Sequence, residues 1–252
     1  MTIKRTSKTH IDERYPGLVP LPDPPQVPRM QEHTHITRAD QTLKTWFRRR
    51  PGTLVNGKGY LCQGRRNIRR SPYPDCVVAF GVDPDRITAT NGYVISEVGK
   101  PPEVVLEFAS STTGRRDYTV KRELYANMSV GEYWRFDRTG GLHHDAALAG
   151  DQLVNEAYEP ITTTTEPDGM IWAYSPALGL DLCWRNGELL FRNPATGEFL
   201  LNQQQTQDAL EDAQAHIRDA EARVQEEQAA RRDAEARLRQ LEAELRRRQD
   251  EE

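Results

Sequence analysis

The sequence predicts an α/β domain built on a mixed central sheet with helices on its faces, followed by a separate long helix. Three observations lead there. Residues 103–137 read strand, helix, strand; short β-rich segments bounded by turn residues lie on both sides of that run; and a seven-residue apolar repeat is confined to the C-terminal end.

Taken in order, the chain opens with an arm defined by Pro16, Pro20, Pro22, Pro24, Pro25 and Pro28. Prolines at this density exclude helix and central strand, so residues 1–29 are predicted to be extended. The domain is expected over 30–202. Within it, 35–49 reads as a helix with Leu43, Trp46 and Phe47 on its apolar face and Pro51-Gly52 as its stop. Residues 53–62 and 75–80 read as strands separated by a basic loop. The segment 103–108, Glu-Val-Val-Leu-Glu-Phe after Pro101-Pro102, is a short apolar strand. Residues 115–128 have helical spacing, with Val120, Leu124 and Met128 assigned to one face and Gly131 closing the segment, and 132–137 returns as a strand. Strand–helix–strand over this length implies a parallel pair with a right-handed crossover. Residues 152–158 and 187–192 look like antiparallel hairpin material, and the threonine run 162–165 like strand or loop.

From residue 203 onward the pattern changes. Leu210, Ile217, Val224, Arg231, Leu238 and Leu245 recur every seven residues, and Ala213, Ala220, Glu227, Ala234, Leu241 and Arg248 follow three residues after each. These are the a and d positions of a coiled coil, with Glu227 and Arg231 as polar interruptions of the kind that fix register at some cost in stability. A homo-oligomer through this helix is the favoured expectation; a lone charged helix is the alternative.

Composition narrows the classes. No apolar run is long enough to span a membrane, and the basic, polar start lacks the apolar stretch of a secretory signal. Cys62, Cys76 and Cys183 are scattered, without the spacing of a zinc site or a disulfide framework, which fits a cytoplasmic protein. The net charge of −4 is uneven. Residues 206–252 hold 14 acidic and 9 basic residues, while 41–74 hold nine basic and none acidic: Lys44, Arg48, Arg49, Arg50, Lys58, Arg65, Arg66, Arg69 and Arg70. Such a stretch is what a phosphate-binding surface needs, and equally what a solvated basic face looks like.

Two carboxylates invite a chemical reading. Asp75 opens a strand directly after Pro74, and Glu107 lies near the end of 103–108. Alternation puts Glu103, Val105 and Glu107 on one side of that strand. A glutamate among apolar strand residues is costly unless something pairs with it, which singles out Glu107; Glu103, at the strand's start, reads as a surface position. Cutting a phosphodiester with a metal needs carboxylates that converge on a hard cation, and gains from a lysine that steadies developing charge.

Five short motifs in series carry a family resemblance: Pro74-Asp75 with its apolar strand, Glu107-Phe-Ala-Ser-Ser, Asp117-Tyr-Thr-Val-Lys121, Tyr125, and Val130-Gly-Glu-Tyr-Trp-Arg-Phe-Asp137. Together they resemble the Uma-type restriction endonucleases of the PD-(D/E)XK nuclease superfamily, from about residue 30 to 202. Members of that kind often end in an Ala/Glu/Arg-rich helix, which the tail matches. The resemblance implies a restriction-endonuclease-like core, Mg²⁺ or Mn²⁺ as cofactor, DNA as partner, and Asp75 and Glu107 as metal-binding carboxylates. It also implies Lys121 as the active-site lysine, since the superfamily's usual lysine position, two residues after the glutamate, is Ala109 here. The same resemblance implies Glu32 as a further active-site candidate, the acidic residue that the superfamily places on its first core helix.

Other features receive plainer readings. His143-His144 lack a third ligand, and adjacent strand residues face opposite ways. One of Tyr133 and Trp134 is expected inside a central strand. Gly57-x-Gly59 lacks the context of a phosphate loop. The resulting expectation is metal-dependent hydrolysis of phosphodiester bonds. Two rivals stand beside it: a catalytically inactive nucleic-acid-binding protein on the same fold, and a scaffold whose business is the coiled coil.

Overall fold

A computed structural model of the chain describes residues 14–22, 30–66, 68–110 and 116–249, without the side chains of 30–32, 69 and some residues near the C-terminal end. It separates into two compact units, one ending at Asn202 and the other running from Gln203. The first contains a six-stranded sheet. Its strands are β1 (Thr53–Asn56), β3 (Cys76–Phe80), β5 (Val104–Phe108), β6 (Glu132–Phe136), β7 (Leu148–Val154) and β8 (Ala157–Ile161), lying side by side in that order. Only β5 and β6 are parallel; the other neighbours are antiparallel, so the sheet is mixed as the sequence predicts.

Both faces of this sheet are covered, which explains why its central strands are almost continuously apolar. One face carries Val55, Cys76, Val78, Phe80, Val104, Leu106, Phe108, Trp134 and Phe136. Against it pack Ile36, Ala39, Leu43 and Phe47 of helix α1 (Met30–Phe47) together with a second sheet of β9 (Thr164–Thr165), β10 (Ile171–Ser175), β11 (Leu180–Arg185) and β12 (Glu188–Arg192). Arg38 of α1 reaches Glu188 of β12 at 2.7 Å. Between the sheets lies Glu132, 2 % exposed. Its Oε2 accepts from the Trp134 indole at 2.8 Å and from the Ser175 hydroxyl, and its Oε1 from the Ala177 amide at 2.7 Å. Three hydrogen bonds let a carboxylate stay inside.

The opposite face carries Leu54, Val77, Ala79, Val105 and Tyr133. It is covered by the short helices α2 (Pro84–Ala89) and α3 (Ile95–Val98) and by the crossover between β5 and β6. A small parallel pair, β2 (Tyr60–Cys62) with β4 (Gly92–Val94), stands apart from the main sheet. The arm docks on it: Leu21 is buried with Tyr60, Cys62 and Val94, and its amide donates to the Thr90 carbonyl at 2.8 Å.

Three expectations need correcting. The strand expected over 53–62 is two strands in different sheets, because the chain leaves the main sheet at Gly57. A Cβ on Gly57 would lie 1.8 Å from the Asp75 carbonyl oxygen, so only glycine allows this crossing. The crossover is not a plain α-helix: a π-helical turn, Asp117–Lys121, runs into helix α4 (Arg122–Asn127) and shifts the inward phase. Val120 is consequently 55 % exposed, and Asp117 and Tyr125 point inward instead. Finally, both Tyr133 and Trp134 are buried, one on each covered face of the sheet.

The tail is a single helix, α5 (Gln203–Gln249). Leu210, Ile217, Val224, Leu238 and Leu241 are all more than half exposed on it. Among the described residues, no helix is long and apolar enough to cross a membrane.

Candidate active site

The sheet supplies the carboxylates. Strands β3 and β5 pair with Cys76 opposite Leu106, and the next step of that register brings Asp75 opposite Glu107. Cross-strand partners project to the same face, so both carboxylates stand over the side covered by the crossover. Asp75 Oδ2 accepts from the Phe108 amide at 2.9 Å, which ties it to the end of β5. Its position is also set from behind by the close passage of Gly57 and by the Lys58 amide, which donates to the Pro74 carbonyl at 2.9 Å.

The crossover supplies the cation. Asp117, Lys121 and Tyr125 face inward at intervals of four residues across the junction of the π-turn and α4. Lys121 Nζ lies 2.9 Å from Glu107 Oε1 and 2.8 Å from Asp117 Oδ1. The Tyr125 hydroxyl donates to the same Glu107 oxygen at 2.6 Å. The partner that an apolar-strand glutamate requires is therefore present. Arg135 stands beside Glu107 on β6, but its guanidinium is engaged by Asp151 at 2.5 Å and by Asp145. Among the described residues, Lys121 is thus the cation that serves this group.

The electrostatics follow from crowding. Burial, then the charge of Glu107, pushes the Asp75 carboxyl well above the ordinary carboxylate value. Burial likewise raises Glu107, against the pull of Lys121 and Tyr125 and with a further push from Asp117. Burial alone would lower Lys121, yet Glu107 and Asp117 outweigh it and hold the ammonium above its usual value. Three carboxylates share one lysine.

Such a set suits a hard cation. Glu107 Oε1 is engaged by Lys121 and Tyr125, and Asp75 Oδ2 by the Phe108 amide. The described residues contain no group of three His, Cys, Asp or Glu side chains arranged to hold a metal by themselves. Magnesium does not need one, since it is commonly held by one or two carboxylates, water and substrate phosphate. The donor pair Asp75 and Glu107 fits that pattern.

Of the residues singled out in the sequence, Asp75, Glu107 and Lys121 converge here. Glu32 falls in the first turn of α1, where its side chain lies outside the described residues. Ala109 occupies the usual lysine position and is buried, its amide donating to the Phe136 carbonyl at 2.8 Å. Two residues were missed. Asp117, which the sequence presents only as the start of the motif that ends at Lys121, is completely buried. His144 was set aside with His143, yet its Nε2 lies 3.1 Å from Asp117 Oδ2. The spacing of Asp117 and Lys121 was a usable signal for the first; nothing local marks the second.

Comparison with known proteins gives this geometry a context. The sequence matches the Uma2 family, described as "Putative restriction endonuclease", over residues 25–184. Among solved structures it is similar to one from Anabaena variabilis described as "a putative nuclease belonging to DUF820". The TM-score is 0.43 at 13 % identity, with 63 % of this chain and 78 % of that one covered. No curated protein matches the sequence. With well over half of its length covered by the family match, the chain belongs to the Uma2 family.

Proposed function

We propose that this protein is a Mg²⁺- or Mn²⁺-dependent endonuclease that hydrolyses phosphodiester bonds in DNA. The observation that carries the reading is the seat of Lys121 between Glu107 and Asp117, beside a second carboxylate, Asp75, that shares its face of the sheet. Asp75 and Glu107 would hold the metal. When bound, a divalent ion supplies Lewis acidity and a more acidic water. Lys121 is held as an ammonium, so its part is to bind and neutralise phosphate oxygens rather than to remove a proton. Tyr125 keeps Glu107 oriented through its hydroxyl.

The backbone-binding surface is narrower than the run of basic residues implies. Lys44 is paired with Asp40, Arg65 with Glu97, and Arg50 lies over the Phe80 ring. Arg48, Arg49, Lys58, Arg66 and Arg70 are exposed. Of these, Lys58 is tied through its own backbone to Pro74, next to Asp75. It is the residue we assign to the phosphate nearest the metal.

Cleavage of supercoiled plasmid with Mg²⁺ or Mn²⁺ tests the reading. Glu107→Ala and Lys121→Ala are each expected to reduce nicking about 10²–10³-fold, the loss typical of removing a group that stabilises transition-state charge. Retained DNA binding without cleavage by the wild type would support an inactive binding protein instead. A second arm addresses the metal. A carboxyl raised on folding favours the fold while protonated, so that contribution is lost as pH climbs from the ordinary carboxylate range through the raised value. Asp75→Asn should therefore raise the neutral-pH melting temperature without divalent ions, by roughly 3 °C for each kcal/mol relieved. The same variant should lose the stabilisation that Mn²⁺ gives the wild type. An unchanged Mn²⁺ shift in Asp75→Asn would remove Asp75 as a ligand.

The same reading includes a homo-oligomer joined through α5. Its support is the exposed row Leu210, Ile217, Val224, Leu238 and Leu241 at coiled-coil spacing. The full chain should sediment as an oligomer, and the chain ending at Asn202 as a monomer. A monomeric full chain would end this part of the reading.

A further inference from the structure

We propose that Asp117 and His144 form a positioning pair that fixes the Lys121 ammonium against Glu107. The inference rests on the endonuclease reading for its kinetic consequence, but not for its structural one. Asp117 is fully buried and holds Lys121 Nζ with Oδ1 at 2.8 Å while Oδ2 faces His144 Nε2 at 3.1 Å. A carboxylate is acceptor only, so Nε2 is the donor. The Tyr133 hydroxyl donates to the Asp117 main-chain carbonyl at 2.9 Å, pinning the backbone of the same residue.

His144 is placed for this contact with unusual care. It sits in the loop after β6, which is gathered around Asp137. Asp137 Oδ2 accepts the amides of His143 at 2.6 Å and His144 at 3.0 Å, while Oδ1 takes the Thr139 amide at 2.8 Å and the Thr139 hydroxyl at 2.5 Å. Four hydrogen bonds thus hold the loop that delivers the imidazole. The other ring nitrogen, Nδ1, is buried with no hydrogen-bond partner among the described residues. A polar ring kept inside with one of its two nitrogens unsatisfied costs stability that an apolar side chain of similar size would not. The compensating feature is its contact with Asp117. The chain of contacts runs from Asp137 through the His144 backbone and ring to Asp117, Lys121 and Glu107.

A flexible lysine needs such bracing. Glu107 alone offers one contact to a four-carbon stem; Asp117 supplies a second, and His144 fixes the carboxylate plane that supplies it. Misplacing a catalytic group by about 1 Å can cost about 10²-fold in rate.

The test uses the full chain and reads two quantities. The first is peptide-resolved reductive methylation of lysines without added metal, with Lys44 and Lys58 as internal references. His144→Ala and Asp117→Asn are expected to raise Lys121 labelling several-fold, and His144→Gln, which keeps a donor near the Nε2 position, to stay close to the wild type. The second is the kinetics of plasmid cleavage. His144→Ala should lower kcat about 10- to 100-fold with KM within about twofold, the signature of a group that acts in the transition state. His144→Gln should recover most of that loss. Lys121 labelling unchanged in both His144→Ala and Asp117→Asn overturns the proposal, as does a His144→Gln no better than His144→Ala. A wild type that cuts nothing would defeat the endonuclease reading, leaving the labelling comparison to decide the positioning pair. Should His144→Ala fail to fold, Asp117→Asn and His144→Gln carry the same comparison.

Discussion

Gly57→Ala is expected to lose about 3 kcal/mol or more of stability together with most of the cleavage activity. The new Cβ would stand 1.8 Å from the Asp75 carbonyl oxygen and 2.6 Å from its carbonyl carbon. Both obstacles are backbone, so no rotamer change relieves them, and either the strand start or the crossing segment must move. Movement of the strand start carries Asp75 away from the Phe108 amide and from Glu107. Urea unfolding gives the stability, and cleavage measured well below the melting transition separates site distortion from unfolding. An alanine variant with the wild-type midpoint and wild-type rate would show that the two segments do not approach this closely.

Glu132→Ala should destabilise the domain by about 3–5 kcal/mol without directly touching the candidate site. Truncation removes the acceptor for the Trp134 indole, the Ser175 hydroxyl and the Ala177 amide, all in the interface between the two sheets. Each orphaned buried donor costs about 1–3 kcal/mol, partly offset by no longer burying a carboxylate. Glu132→Gln should fall between, because its one carbonyl oxygen can serve Trp134 and Ser175 only by turning the amide nitrogen, which cannot accept, to the Ala177 amide. A denaturant midpoint within about 0.5 kcal/mol of wild type for Glu132→Ala would mean the three donors find other partners, the range expected of an ordinary surface change.

The sequence made the sheet's centre legible because burial there is extreme. Val104–Phe108 and Glu132–Phe136 are buried along their whole length, so their apolar runs stand out. It was less informative where the chain changes course. Gly57 looks like a turn residue inside one long strand, and only the approach of Asp75 reveals a change of sheet. The crossover misled in a specific way. Apolar spacing selected Val120, whereas the face that matters there is polar, with Asp117 and Lys121 beside Tyr125. A π-turn cannot be inferred from hydrophobic period, because it changes the period locally. Asp75, Glu107 and Lys121 could be named in advance, the first two from strand context and the third through family likeness. His144 could not, since its partner lies 27 residues away and its contact exists only after the loop folds over the crossover.

The outer rim of the main sheet has a consequence for how the protein behaves in a crowded solution. Strand β8 closes one side, with Pro160 paired to Asp151 inside it and Glu159 exposed beside it. Proline contributes no amide donor and glutamate adds charge, so this border is a poor template for an incoming strand. Sheet-to-sheet fusion, the common route from an open β-edge to insoluble aggregate, is blunted on this side of the molecule.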